Sequence, residues 1–342
     1  MEIIRRIDSK QLQYEKLKRA LSNMFDIEIT HADYAMQQLH GGTLGDVQLI
    51  SGIAQTIDDE QIPYNIVLKA QKKWERYGDS GSWHREYDLY TSRFYTLFDE
   101  SLRWPDYYYA EMSSDKWLIF MEYIEGVTGS DLTVDMFESA AEELGRLQGR
   151  LYIKNSPILQ DLTNLSHKDA MKEYYYHYRN WAEIYNYVRS ADCEIPKHLR
   201  DMIVDYDSKA ESIWESIEKL PVVLCHRDFW ITNIFYLDGK IRLIDWDTTG
   251  WGYLGEDIVS LIADEADTKY MLEYYKRCVP AYLKGFSEYV DVSYINDLYI
   301  KERIILHFGY RLVEWYKYAE TTESKQLQIE TLEKIYEISR WN

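Results

Sequence analysis

Apolar residues follow two different rhythms in the two parts of this chain. Before residue 127 they fall in short runs that read as strands. The run Tyr64-Asn65-Ile66-Val67-Leu68-Lys69-Ala70 is one, and residues 116–126 form another that passes into a polar turn. A helix opens at Trp83 after the glycine- and serine-rich residues 78–82, and residues 1–30 read as a leading helix. From residue 134 onward the spacing becomes three and four. Leu144, Leu147 and Leu151 share one face of a helix predicted over 134–152. Further helices are predicted over 168–189, 197–220, 271–286, 293–319 and 323–340. Another starts at Gly255-Glu256-Asp257, with acids in its first turn. The pattern predicts an α+β fold, β-rich first and mainly helical afterwards.

One hairpin interrupts the helical part. Residues 233–237 and 240–244 read as short strands on either side of Asp238-Gly239. That dipeptide suits a two-residue type I′ turn, which needs positive φ at both positions. The turn sets Leu237 opposite Lys240 and Asn233 opposite Ile244. Asn233 and Asp245 then leave the same open end, within roughly 5–8 Å of each other. Two oxygen ligands at that separation suit magnesium, which takes few protein oxygens and completes its shell with phosphate and water. Asp228 lies in the loop entering the first strand, five residues before Asn233, where it can serve as a base for a substrate hydroxyl.

His226-Arg227-Asp228-Phe229-Trp230-Ile231-Thr232-Asn233, followed by Ile244-Asp245-Trp246, resembles the aminoglycoside phosphotransferase and choline kinase superfamily. This is the small-molecule branch of the protein-kinase-like fold. The resemblance implies two lobes: a nucleotide-binding lobe over 1–121, a hinge over 122–126, and a catalytic and substrate-binding lobe over 127–342. It implies Asp228 as catalytic base, Asn233 and Asp245 as ligands of Mg2+, and ATP as donor, with GTP as the alternative. It assigns Lys69 to the α- and β-phosphates and Glu86 as its partner, with Glu75 and Asp88 as substitutes. The backbone of Glu122 and Ile124 would meet the adenine, and Asp257 would brace the catalytic loop. Gly41, Gly42 and Gly45 would let backbone amides approach phosphate, although taken alone the same turn reads more readily as a plain hairpin. One departure stands out. Arg227 occupies a position where most of these enzymes carry glycine, and its role stays open.

Only residues 246–256 separate Asp245 from Asp257, too few for the peptide-binding segment of a protein kinase. A small hydroxylated acceptor is the expectation. The net charge of −19 argues against nucleic acid and anionic membranes. It fits a cationic acceptor, and also serves solubility alone. Asp247, Glu256, Glu314, Trp315 and Tyr318 are the expected acceptor wall, since carboxylates beside aromatic rings suit an amino group. The chain's 32 tyrosines and 11 tryptophans leave some rings for a surface or cleft, with core packing the default for any one. Three scattered cysteines suggest reduced thiols in a cytoplasm, and no signal peptide or bilayer-long apolar run is read. A monomer or homodimer is expected. An aminoglycoside-like antibiotic is the first expected acceptor, with choline, another amino alcohol or a sugar as alternatives. A non-catalytic scaffold of spore-coat type is the rival from another class. Intact Lys69, Asp228, Asn233 and Asp245 speak against it.

Overall fold

The computed structural model describes residues 2–39, 45–74, 79–154, 156–264 and 267–341. The chain divides into two compact units, Met1–Thr96 with Arg103–Glu125, and Leu97–Leu102 with Gly126–Asn342.

The first unit runs α1 (Glu2–Phe25), β1 (Ile29–Gln38), β2 (Gly45–Thr56), β3 (Gln61–Lys72) and α2 (Ser82–Thr91). After the two-residue β4 (Leu102–Arg103), which straddles the division, come β5 (Tyr107–Met112) and β6 (Lys116–Glu122). Five strands pair in the order β1-β2-β3-β6-β5, each neighbour antiparallel. Leu17, Ala20 and Leu21 of α1 pack with Ile50, Ala54, Ile66, Leu68 and Phe120 to form the core on one side. Side chains alternate along a strand, so Ile66 and Leu68 inward place Lys69 on the opposite face. α2 packs against β5 and β6 and presents Glu86 to Lys69. The Trp117 indole donates to the Trp83 carbonyl at 2.5 Å and ties β6 to the start of α2. Gly41, Gly42 and Glu75 lie outside the described residues. Gly45 opens β2 opposite Gln71.

The second unit is mainly helical: β7 (Val127–Thr128), α3 (Val134–Lys154), α4 (Pro157–Asp161), α5 (Ala170–Asn180), α6 (Ala182–Tyr187), α7 (Lys197–Ser208) and α8 (Ala210–Ile217). Four short strands follow, β8 (Val222–Cys225), β9 (Ile234–Leu237), β10 (Lys240–Leu243) and β11 (Gly250–Tyr253). The chain then continues as α9 (Glu256–Ala263), α10 (Met271–Ser287), α11 (Ile300–Tyr318) and α12 (Thr322–Ser339). α3 packs along α10, and Leu144, Leu147 and Leu151 are buried, as their spacing predicts. β9 pairs with both β7 and β10, and β8 pairs with β11.

The α+β class and its order are as predicted, with three corrections among the helices. The helix predicted over 168–189 is two, parted at Trp181, whose backbone is extended and whose N–H caps α5 on the His177 and Tyr178 carbonyls. The helix predicted over 197–220 is parted at Lys209, where φ −106° and ψ 0° leave the helical region. Residues 293–299 are not helical. The Asp291 and Asp297 carboxylates accept the N–H groups of Ser293 and Tyr299, a local bond that competes with the helix. Among the described residues no helix is long and apolar enough to cross a membrane.

Candidate active site

The β9–β10 hairpin has the register its turn demands. Asp238 and Gly239 have φ of 49° and 79°, Lys240 faces Leu237, and Leu243 faces Ile234. The Ile244 N–H donates to the Asn233 carbonyl at 3.0 Å, which adds the predicted outer rung. Asn233 and Asp245 therefore leave the same end. Asp245 is itself left-handed, with φ 64°. For a residue other than glycine that conformation is costly and must be held by its surroundings.

β8 delivers the loop that carries Asp228. Asp257, at the start of α9, accepts the backbone N–H of His226 at 3.0 Å and of Arg227 at 2.7 Å. Gln148 of α3 donates to the same carboxylate at 3.0 Å and to the Leu224 carbonyl at 2.9 Å. The Tyr282 hydroxyl of α10 donates to Gln148 in turn. Burial pushes the Asp257 carboxyl up to about 7, against the pull of the two backbone bonds. His226 joins this loop to the hairpin. Its Nδ1 accepts the Asp228 N–H at 3.2 Å, so Nε2 carries the proton it donates to the Ile244 carbonyl at 2.9 Å. Its ring stands edge-on to Trp246.

Asp228 and Asn233 meet directly. The Asn233 amide nitrogen donates to Asp228 Oδ2 at 2.7 Å and to the Asp228 carbonyl at 2.9 Å. Spending Nδ2 in this way leaves Oδ1 as the amide's acceptor end. Burial, then the negative charge of Asp245, lifts the Asp228 carboxyl to about 7; Asn233 opposes the rise, while Asp247 and Asp264 add to it. Asp245, Asp247 and Asp264 thus add negative charge around Asp228. Among the described residues no three His, Cys, Asp or Glu side chains converge as a metal cage. A site with one carboxylate, one amide oxygen and excess negative charge fits Mg2+, which needs few protein ligands.

In the first unit Lys69 Nζ lies 2.5 Å from Glu86 Oε2, and Glu86 is 1% exposed. Asp88 is paired with His84 at 2.7 Å instead. The Glu122 N–H is committed to the Asp106 carbonyl at 2.8 Å, and Ile124 is buried just beyond β6.

The expected acceptor wall is only partly assembled. Asp247 is buried in the turn after Asp245. Glu256 is a correction: it is 3% exposed, and its carboxylate faces the Arg227 guanidinium at 2.7 Å rather than open space. The three residues of α11 go to separate partners. Glu314 acts on the Tyr178 hydroxyl and helps to raise its pKa, Trp315 carries the Arg311 guanidinium 4.3 Å above its ring, and the Tyr318 hydroxyl, on a 52% exposed residue, donates to Glu183 at 2.5 Å. Sequence reasoning missed Asp264, which pairs with Arg311 at 3.3 Å; Tyr174, from a tyrosine run expected to leave some rings for a surface or cleft, has its hydroxyl 3.1 Å from that of Tyr178. Sequence reasoning also missed His307, whose ring is tilted against that of Tyr174 with centroids 4.9 Å apart and whose burial pushes its pKa down to about 3. Gln148 did leave a signal: it is a polar residue in the apolar stripe between Leu144 and Leu151.

Solved structures with the same architecture are kinases. An amicoumacin kinase in complex with AMP-PNP and Ca2+ superposes with a TM-score of 0.55, at 14% identity over 90% of each chain. An ethanolamine kinase from Plasmodium vivax gives 0.53 at 15% identity, over 89% of this chain and 81% of that one. A choline kinase from Cryptosporidium parvum Iowa II gives 0.52 at 18% identity, over 89% and 90%. At these identities the likeness is one of fold. No curated protein matches by sequence. The model of the phosphotransferase enzyme family, APH, matches residues 94–289, more than half of the 342-residue chain. The chain belongs to that family, and it is a small-molecule phosphotransferase acting on a hydroxyl acceptor.

Proposed function

We propose that the protein transfers the γ-phosphate of ATP to a hydroxyl on a cationic small molecule, with an aminoglycoside-like antibiotic as the first acceptor class. The observation that carries the reading is the Asp228–Asn233 contact beside Asp245. Asp228 orients the acceptor hydroxyl and takes its proton. A carboxyl whose pKa is raised to about 7 by burial, and then by Asp245, is the better proton acceptor. Asn233 Oδ1 and Asp245 would hold Mg2+. The ion neutralises charge on the phosphates and on the carboxylates around it. Lys69, fixed by Glu86, is proposed to engage the α- and β-phosphates, and backbone groups near Glu122 and Ile124 the adenine. Catalysis is then mostly positioning and charge neutralisation.

Support for a cationic acceptor is electrostatic. Asp245, Asp247 and Asp264 all act on Asp228, and Glu314 lies among Tyr178 and Trp315. An amino alcohol is the second reading, favoured by those same rings, which suit an ammonium group. The kept Lys69–Glu86 pair disfavours a non-catalytic scaffold. The test is a phosphorylation screen across amino sugars, amino alcohols and plain sugars, with ATP and GTP as donors. Transfer to amine-bearing alcohols is expected. Transfer only to neutral or anionic alcohols would end the cationic reading and leave the kinase standing.

A further inference from the structure

Arg227 is the residue that the motif leaves without a task, and its surroundings are unusual. Its φ is 70°, in the left-handed region that glycine occupies freely and a long side chain does not. The backbone therefore gains nothing from an arginine here. The side chain does. Nε donates to Glu256 at 2.7 Å, one terminal nitrogen donates to the Ser166 hydroxyl, and the other donates to the carbonyls of His167, at 2.9 Å, and Trp251. Its side chain is 9% exposed and that of Glu256 4% exposed. The main-chain N–H of the same residue is held by Asp257. One residue thus grips two consecutive acids of α9, the strand β11 and the segment that leads into α5.

That segment is itself fitted to the chain that follows Asp245. The Ser166 N–H donates to the Thr249 carbonyl at 3.2 Å, and the Ser166 carbonyl accepts from Trp251 at 3.0 Å. A Cβ at Gly250 would lie 2.0 Å from Ser166 Oγ, so only glycine permits this approach. Beyond His167 the chain enters α5, which bears Tyr174 and Tyr178.

We propose that Arg227 is a positioning residue: its guanidinium clamps the loop carrying Asp228 to the Ser166–His167 segment and to β11, and so fixes Asp228 for proton transfer. The inference rests on Asp228 being the base. The planar five-donor fork matters as well as the charge. Lysine could meet Glu256 but not Ser166, His167 and Trp251 together. Displacing a reacting group by about 1 Å costs up to roughly a hundredfold in rate.

The experiment compares wild type, Arg227→Gly, Arg227→Lys, Ser166→Ala with Arg227→Gly, and Asp228→Ala. Turnover is read as ADP release from Mg-ATP, with water and with an amine-bearing alcohol from the screen, and Mg-ATP affinity is measured by calorimetry. Arg227→Gly should fold, because its backbone suits glycine, and should bind Mg-ATP within about twofold of wild type, while kcat falls about ten- to a hundredfold. Arg227→Lys should recover part of the loss, and adding Ser166→Ala to the glycine variant should cost little more, because the hydroxyl's remaining bonds, to the Thr248 and Thr249 carbonyls at 3.2 and 3.3 Å, are long. A glycine variant with kcat within about twofold of wild type, beside an inactive Asp228→Ala, would overturn the clamp and leave the base in place. An active Asp228→Ala would overturn both. Should the glycine variant not fold, the lysine variant decides by the same criterion: undiminished kcat overturns the clamp.

Discussion

The loop that carries Asp228 and the helices that bear Glu314 and Tyr178 lie in one unit, yet they are held by different kinds of bond. The loop is fixed by bonds that each join a main-chain group to a side chain, and by the Arg227 guanidinium. Asp257 accepts the N–H groups of His226 and Arg227, His226 Nε2 donates to the Ile244 carbonyl, and the Thr248 hydroxyl donates to the His226 carbonyl at 2.8 Å. On the helices the contacts run between side chains: Asp264 to Arg311, Tyr174 to Tyr178, and Glu183 to both Lys317 and Tyr318. Such a bond tolerates substitution at its main-chain end, whereas a side-chain pair is lost with either partner. The comparison teaches that one region is built to keep its geometry and the other can change its ligand chemistry residue by residue. Such a division suits an enzyme whose reaction is fixed and whose acceptor is a matter of side chains.

The largest effect should come from the proposed metal ligands, Asp245 and Asn233, on the rigid side. Asp245→Ala should abolish magnesium-dependent nucleotide binding. Asn233→Ala should weaken it by about 1.5–3 kcal/mol, the scale of one contact to a charged group. Calorimetric titration with Mg-ATP ranks them, and equal or reversed losses would break the assignment of the carboxylate as the stronger ligand.

Next in size is the brace. Asp257→Ala strands two backbone N–H groups and one Gln148 donor in a buried place. Each unmet group costs about 1–3 kcal/mol. A thermal midpoint lowered by several degrees is expected, and an unchanged one would show that the loop does not depend on its main-chain anchors.

The two regions should also respond oppositely to acid. Asp257 has its pKa raised to about 7, so it contributes stability at low pH that is lost as pH rises from about 4 to about 7. His307 has its pKa lowered from 6.5 to about 3, so the unfolded chain takes up its proton first and stability falls as pH drops below about 6.5. His307→Phe should remove a slope on the order of 1 kcal/mol per pH unit between about pH 6 and 4. Denaturant midpoints measured across that range check this. A slope unchanged in the variant would mean that His307 is protonated in the fold.

The smallest effect belongs to the changeable side. Glu314→Gln should raise KM for an amine-bearing acceptor severalfold and leave KM for ATP alone, because a partly exposed charge contributes about 1 kcal/mol or less. Steady-state kinetics with both substrates varied gives the answer, and a rise confined to ATP would move Glu314 out of the acceptor region.

The same contrast explains what could be read from the sequence. Hairpin register was legible because a two-residue turn leaves no freedom, and Lys69 could be set against Glu86 through the family resemblance and their order along the chain. The breaks at Trp181 and Lys209 carry neither glycine nor proline, so local spacing runs through them. Asp264 and Arg311 are far apart in the chain and meet only when α9 and α11 pack. Glu256 was misjudged for the same reason. Nearness to Asp245 in sequence suggested an acceptor wall, while the partner that claims it, Arg227, lies on another segment. Arg227 could be marked as a departure, but its left-handed backbone and fourfold clamp are properties of the folded chain.

The account stands or falls on Asp228. Its most direct test is single-turnover phosphoryl transfer to an accepted alcohol by wild type and Asp228→Ala, with Mg-ATP affinity measured on the same samples. The expected result is a transfer rate lower by roughly 10²–10⁴ with nucleotide affinity retained, the usual size of a positioned general base. A variant that transfers phosphate at the wild-type rate would contradict it.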